Sequence, residues 1–304
     1  MTKRVALPDT SRPEFEAETR AKNFAARVSI LAAAFLIVLK TTTGWLTGSI
    51  SVWASVLDSA MDIIASTINF FAIRAAARPP DEDHSYGHGK VESLAGLFQS
   101  LVIGASGIFV IVEGIKRIIN PRPVGYEWLG IATMMVGATI SLTLVRYLKR
   151  VGRATESPAI TADAAHYTSD IYTNAAALIA LLVTALTAWR IADPIISLVI
   201  SAYILWSAVG VARDSIDVLM DRRLPIEIDE KVADVVKRFH DQGVLGFHDL
   251  RTRRSGSYKF LDMHLEVDRG QTLEDAHAVT VRVLRAIEQE IPRTRVQIHT
   301  DPSG

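Results

Sequence analysis

Asp58 and Asp62 stand four residues apart inside the apolar stretch Ile50 to Ala76, and His166 and Asp170 stand four apart inside another, about Ile160 to Ala188. That spacing puts each pair on one face of a helix. An ionisable side chain at membrane depth costs roughly 2.5–3.5 kcal/mol even on the lenient insertion scale, so it faces a bundle interior or a polar pathway. A single buried carboxylate can be satisfied by hydroxyls such as those of Ser59, Thr168 and Ser169. Three carboxylates and one imidazole on two helix faces instead form the donor set of a divalent cation site.

Two further groups hold most of the remaining histidines. The loop Asp81-Glu82-Asp83-His84-Ser85-Tyr86-Gly87-His88-Gly89-Lys90 sets two imidazoles beside three acids. Such residues can hold a cation, and a solvated loop carries them without one. Near the C-terminus strand alternation does the sorting. In Phe260 to Val267 the apolar residues take one face and His264 shares the polar face with Asp262 and Glu266, while His299 and Asp301 share a polar face in Arg295 to Asp301. With His248 on a preceding strand and His277 on a helix, these donors could gather on an exposed sheet surface. His240 is left over.

The elements that must carry these groups fall into two parts. Six apolar spans can be drawn, at about Phe24–Thr47, Ile50–Ala76, Val91–Ile118, Glu127–Leu148, Ile160–Ala188 and Pro194–Val211, each long enough for a hydrocarbon core of ~30 Å. Gly48-Ser49, Arg78-Pro79-Pro80 and Asn120-Pro121-Arg122-Pro123 break them, and Asp193-Pro194 reads as an N-cap followed by proline in the first turn. Lys and Arg crowd the N-terminal tail, the loop after the second span, the end of the fourth and the segment Arg213–Arg223. The opposite side has Lys116, Arg117, Arg122 and Arg190, a bias that places both termini in the cytoplasm.

From Leu224 the pattern turns soluble. A helix with Ile228, Val232, Val235, Val236 and Phe239 inward precedes strands at Phe247–Arg254 and Lys259–Val267. A helix at Leu273–Glu290, with Leu273, Ala276, Val283, Leu284 and Ile287 inward, and a strand at Arg295–Thr300 follow. The order αββαβ predicts a small, ferredoxin-like α+β domain with helices on one sheet face. The divisions expected are a cytosolic tail over 1–22, a six-helix transmembrane domain over 23–213 and a cytosolic metal-binding, dimerising domain over 214–304. A core of this size gains from a second copy or a bound metal.

Composition excludes several classes. Of 304 residues, 33 are Lys or Arg and 33 Asp or Glu, so the formal net charge is zero and nothing marks a nucleic-acid binder. Cysteine is absent, which removes disulfides and thiolate sites and leaves oxygen and nitrogen ligands suited to Zn, Fe(II), Co, Ni, Cd or Mn. The polar first twenty-odd residues hold no cleavable apolar signal, so the first span itself is expected to direct insertion.

Asp58-Ser59-Ala60-Met61-Asp62, His84-Ser85-Tyr86-Gly87-His88-Gly89-Lys90-Val91-Glu92, His166-Tyr167-Thr168-Ser169-Asp170, Leu219-Met220-Asp221-Arg222 and His248-Asp249-Leu250-Arg251-Thr252-Arg253 occur in this order. Together, over about Asn23 to Pro302, they resemble the cation diffusion facilitators, and most closely the bacterial ferrous-iron/zinc efflux pumps of that family. The resemblance makes Asp58, Asp62, His166 and Asp170 a transport site and Asp81, His84 and His88 a loop site. It implies a binuclear cytosolic cluster, with His248, His264 and Asp301 on one metal, His277 and His299 on the other, and Asp301 bridging. It also makes Lys90 and Asp221 a charge pair that locks helices near a dimer axis. Relatives often have other residues where Glu82-Asp83 stand.

Metal ligands must be deprotonated, so a set of this kind can exchange metal against protons. The expectation is a homodimeric antiporter in the lipid of the bacterial inner membrane, exporting Zn(II), with Fe(II), Cd(II) or Mn(II) as further cargo, from cytoplasm to periplasm. Protons are the counter-substrate. An intramembrane metallohydrolase would need a His-Glu-x-x-His helix, and none occurs. A metal-sensing or scaffold protein of the same fold without transport, and a passive channel, are the competing readings.

Overall fold

The computed structural model describes residues 13–47, 50–119, 128–187 and 191–303; within helices some side chains, Asp58's among them, lie outside the description. The chain divides into two compact units, the first ending at Ile216 and the second running from Asp217 to Gly304.

The first unit is built of long helices, the last of which runs on into the second unit: α1 (Pro13–Thr47), α2 (Ile50–Ala76), α3 (Lys90–Ile119), α4 (Trp128–Thr155), α5 (Pro158–Thr187) and α6 (Ala192–Leu219). α1 begins eleven residues before the expected span, because Pro13 to Asn23 continue the helix in polar sequence and take in part of the expected tail. α4 and α6 likewise run past the apolar limits drawn for them. Asp193 is not an N-cap: α6 starts at Ala192, so Asp193 and Pro194 both lie in its first turn, where a missing N–H costs no hydrogen bond. The stretches Phe15–Thr47, Lys90–Lys116 and Pro194–Leu219 are, among the described residues, long and apolar enough to cross a membrane.

Polarity in this unit is inverted. Trp45 is 79% and Trp206 72% exposed, with Phe35, Leu101, Phe109 and Val199 also outward, whereas Ser29, Ser59, Ser66, Ser141 and Ser201 are buried. An aqueous surface does not carry apolar area on this scale. Lipid does not penalise it, and helices then associate through small residues that let backbones approach. Ala25, Ala26, Ala72, Ala95, Ala159 and Ala164 pack this way around Ile73, Leu148 and Tyr167.

In the second unit the elements are α7 (Ile226–Lys237), β1 (Val244–Ser255), β2 (Tyr258–Val267), α8 (Leu273–Glu290) and β3 (Thr294–Pro302), in the αββαβ order expected. The sheet runs β1-β2-β3, with β1 and β2 antiparallel and β2 and β3 parallel. A parallel neighbour requires a crossover, which α8 supplies. Leu261, Met263, Leu265 and Val267 bury one sheet face against Val232, Val235 and Val236 of α7 and Val279, Val283 and Ile287 of α8. Two expectations fail locally. Leu273, the first residue of α8 beside its Thr272 cap, is 88% exposed because the helix has not yet reached the sheet, and Val279 fills the core instead. Phe260 belongs to the polar face, where the Arg253 guanidinium lies 5.1 Å from its ring centroid.

Candidate functional site

α2 and α5 bring the intramembrane-type donors together. His166 Nε2 is 3.0 Å from Asp62 Oδ1 and 3.9 Å from Asp170 Oδ2. One ligand atom from each of the three residues lies within 4.8 Å of the others, and Asp62 and His166 are only 4% and 3% exposed. Donor atoms this close can hold a metal ion between them. Asp58 occupies the same face of α2 one turn earlier; its side chain lies outside the described residues.

Hydroxyls fix the walls of this site. Tyr167, buried beside His166, donates its hydroxyl to Ser29 O at 3.2 Å and shares a 3.1 Å bond with Ser66 Oγ. Ser29 Oγ donates to Asp163 Oδ2 at 2.6 Å, tying α1 to α5. Asp163 is fully buried, with Oδ1 lacking a hydrogen-bond partner among the described residues. It stands three residues before His166, a position whose spacing could have flagged it. At the N-terminal ends of α3 and α5, buried Glu92 accepts from Lys22 Nζ at 2.9 Å and from Ser157 Oγ at 2.5 Å. Lys40 is a third residue that sequence reasoning passed over: it lies within α1 and its Nζ donates to Ser59 Oγ at 2.7 Å and to Ser55 O at 3.3 Å.

In the loop after α2, Asp81, His84 and His88 also place ligand atoms within 4.8 Å of one another. Gly87, at φ +81°, lets the chain double back onto Pro80. Asp81 Oδ1 accepts the His84 N–H at 2.7 Å and lies 3.0 Å from His84 Nδ1, while Oδ2 lies 3.3 Å from His88 Nε2. Desolvation opposes the charge on Asp81, but these hydrogen bonds and the imidazole charges outweigh it and hold the carboxyl below its usual range. His88 Nδ1 is buried with no hydrogen-bond partner among the described residues.

The sheet of the second unit aligns three imidazoles. His248 pairs with His264 across β1 and β2, and His264 with His299 across β2 and β3. β1 loses register just beyond His248, where Asp249 takes φ 52°, so the bulge resets which residues face the cluster. Asp301 divides its two oxygens: Oδ2 is 2.8 Å from His264 Nδ1 and 3.3 Å from His248 Nε2, while Oδ1 is 3.2 Å from His299 Nε2. The bond to His264 holds Asp301 below the usual carboxylate range against partial desolvation, with the charges of His264, His299 and His248 adding to it. His248, His264 and Asp301 can converge on one ion; His299 lies on the other side of the carboxylate. His277 is exposed on α8 and is not among the gathered ligand atoms.

Lys90 opens α3 in the first unit. Asp221 caps α6 in the second with φ 56°, the Arg222 N–H returning to Asp217 O at 2.8 Å, and Arg253 Nη1 lies 3.7 Å from its carboxylate.

Residues 26–220 match the cation efflux transmembrane domain, and residues 224–303 match the cytoplasmic domain of cation efflux proteins. The chain is 39% identical over 278 residues to the cation-efflux pump FieF of Citrobacter koseri, covering 91% of this chain and 92% of that protein. It is also 39% identical over 270 residues to FieF of Escherichia fergusonii, covering 89% of each. A solved structure, the metal-bound C-terminal domain of the CzcD transporter from Thermotoga maritima, is 29% identical over 25% of this chain and 88% of its own, with a TM-score of 0.24. With both domain families matched in order along a multi-pass helical chain, the protein belongs to the cation diffusion facilitator family of metal cation efflux pumps, in its bacterial iron and zinc efflux branch.

Proposed function

We propose that the protein is a homodimeric divalent metal/proton antiporter of the bacterial inner membrane that exports Zn(II) from cytoplasm to periplasm, with Fe(II), Cd(II) and Mn(II) as further cargo. α2, α4 and α5 cross the bilayer together with the three apolar helices, and both termini are cytoplasmic. The observation that carries this reading is the buried convergence of Asp62, His166 and Asp170 between α2 and α5. Asp58 completes the set from the same face of α2.

Loading such a site displaces protons from its ligands, and reprotonation from the far side expels the metal. Rocking of the helices about the site supplies alternating access. Asp81, His84 and His88 form a secondary loop site, the cluster around Asp301 senses cytosolic metal, and Lys90 with Asp221 locks the dimer. A sensor or scaffold of the same fold would keep the cluster around Asp301 and move no metal. The deciding experiment is flux into proteoliposomes across a metal panel: Asp62→Ala and Asp170→Ala should abolish uptake while the protein still elutes as a folded dimer. Near-normal flux in either variant removes the assignment.

A further inference from the structure

Lys40 is an ammonium in the C-terminal third of α1, where the residues around it are apolar or hydroxyl-bearing. Its Nζ reaches α2 and donates to Ser59 Oγ at 2.7 Å and Ser55 O at 3.3 Å, both neutral acceptors. Ser59 is fully buried. It is adjacent in sequence to Asp58 and three residues before Asp62, hence on the same face of α2 as the carboxylate bonded to His166.

A tie between helices needs no charge. Thr43 and Thr133 join α1 to α4 with two hydroxyls 2.8 Å apart. A cation held at this depth by neutral oxygens is costly for a mere tie, and its compensation comes from the field of the nearby acids. That same field binds the metal. A divalent ion entering between Asp62, His166 and Asp170 meets the field of an ammonium bonded to Ser59, three residues before Asp62 on α2, and in a poorly screened interior like charges repel strongly.

We infer that Lys40 is a tethered cation that competes with the cargo for the carboxylate field, weakening the metal's hold and speeding its release. The inference rests on the transport-site reading of Asp62, His166 and Asp170. In its absence the site would bind more tightly and turn over more slowly, so the two kinetic parameters should separate in a way that loss of packing does not produce.

The test is zinc flux by the full-length protein in proteoliposomes, with half-saturation and maximal rate measured separately. Lys40→Met and Lys40→Gln should each lower the half-saturating zinc concentration by about tenfold or more and reduce the maximal rate, whereas Lys40→Arg should stay near wild type in both. Half-saturation that is unchanged or raised in the neutral variants overturns the inference. So does a Lys40→Arg variant that behaves like Lys40→Met, or failure of both neutral variants to assemble, since either makes Lys40 a packing residue. Asp62→Ala separates the two levels of the argument. If it transports normally, the site reading fails and this inference with it; if it is inactive while Lys40→Met keeps wild-type half-saturation, only the inference fails.

Discussion

Glu92 is 3% exposed, and its carboxylate receives the Lys22 ammonium from α1 and the Ser157 hydroxyl that opens α5. Ser157 in turn accepts the Ile160 N–H at 3.3 Å, so one acid joins α1 to the N-terminal ends of α3 and α5. Truncating one member of a buried pair costs roughly 3–5 kcal/mol, whereas removing both is often nearly neutral. Glu92→Ala should therefore lower the melting temperature of the purified protein strongly, and Glu92→Ala combined with Lys22→Met should recover much of the loss. Equal destabilisation by the single and double variants would mean that the pair contributes little. At this scale the sequence is legible where a residue is out of place by itself: Asp62, His166 and Asp170 are conspicuous because each breaks an apolar run at helical spacing. Asp163, Lys40 and Glu92 were not, because what singles them out is a partner on another helix. No periodicity within one segment reveals that Ser29 meets Asp163.

Period-2 alternation was the most informative signal at the level of elements. It placed His264, His299 and Asp301 on one sheet face before any pairing was known, and the register then stacked His248, His264 and His299 across three strands. Alternation could not supply the bulge beyond His248, which depends on the backbone of Asp249, nor the exposure of Leu273, which depends on where α8 meets the sheet. Since the unit from Asp217 has a core of its own, a fragment covering 217–304 should fold and bind metal through this face. A ligand at a hundredfold excess over Kd stabilises the folded form by ~2.7 kcal/mol, which raises the melting temperature of a small domain by many degrees. Asp301→Ala should lose most of that gain and His240→Ala none. Acid provides a second arm of the same experiment. The folded-state carboxyl of Asp301 lies below its ordinary value of 3.8, so its charge contributes stability to the metal-free fragment above that value, and the contribution is lost as pH falls through the folded value. Asp301→Asn should flatten this acid limb; identical melting with zinc and with chelator in the wild-type fragment would show that the cluster is not a metal site.

On the scale of the whole molecule, the two units divide opposite environments between them. The first exposes tryptophan and phenylalanine and buries serine, while the second buries valine and leucine under helices and exposes its histidines. A change of composition beyond Asp214 is visible in the sequence, because burying apolar area in water and exposing it to lipid write opposite patterns. The lengths of α1, α4 and α6 are not, since polar turns extend a helix beyond its apolar part without any change of period. What the first unit accomplishes is decided by exchange. Under the antiport proposed above, the gathered donors lose protons to take a divalent ion, so that reading requires metal movement and proton movement to be linked. In proteoliposomes loaded with a pH indicator, inward zinc transport should raise the lumenal pH as protons leave, and an imposed proton gradient, acid inside, should drive zinc uphill. A protonophore should stop the uphill component and leave only equilibration. The Asp170→Ala variant should show neither the zinc signal nor the pH signal, as the proposed exchange has the ion and the protons share the same ligands. Zinc flux that persists at full rate with no lumenal pH change, and that ignores the direction of the proton gradient, would instead mark the protein as a passive path for metal.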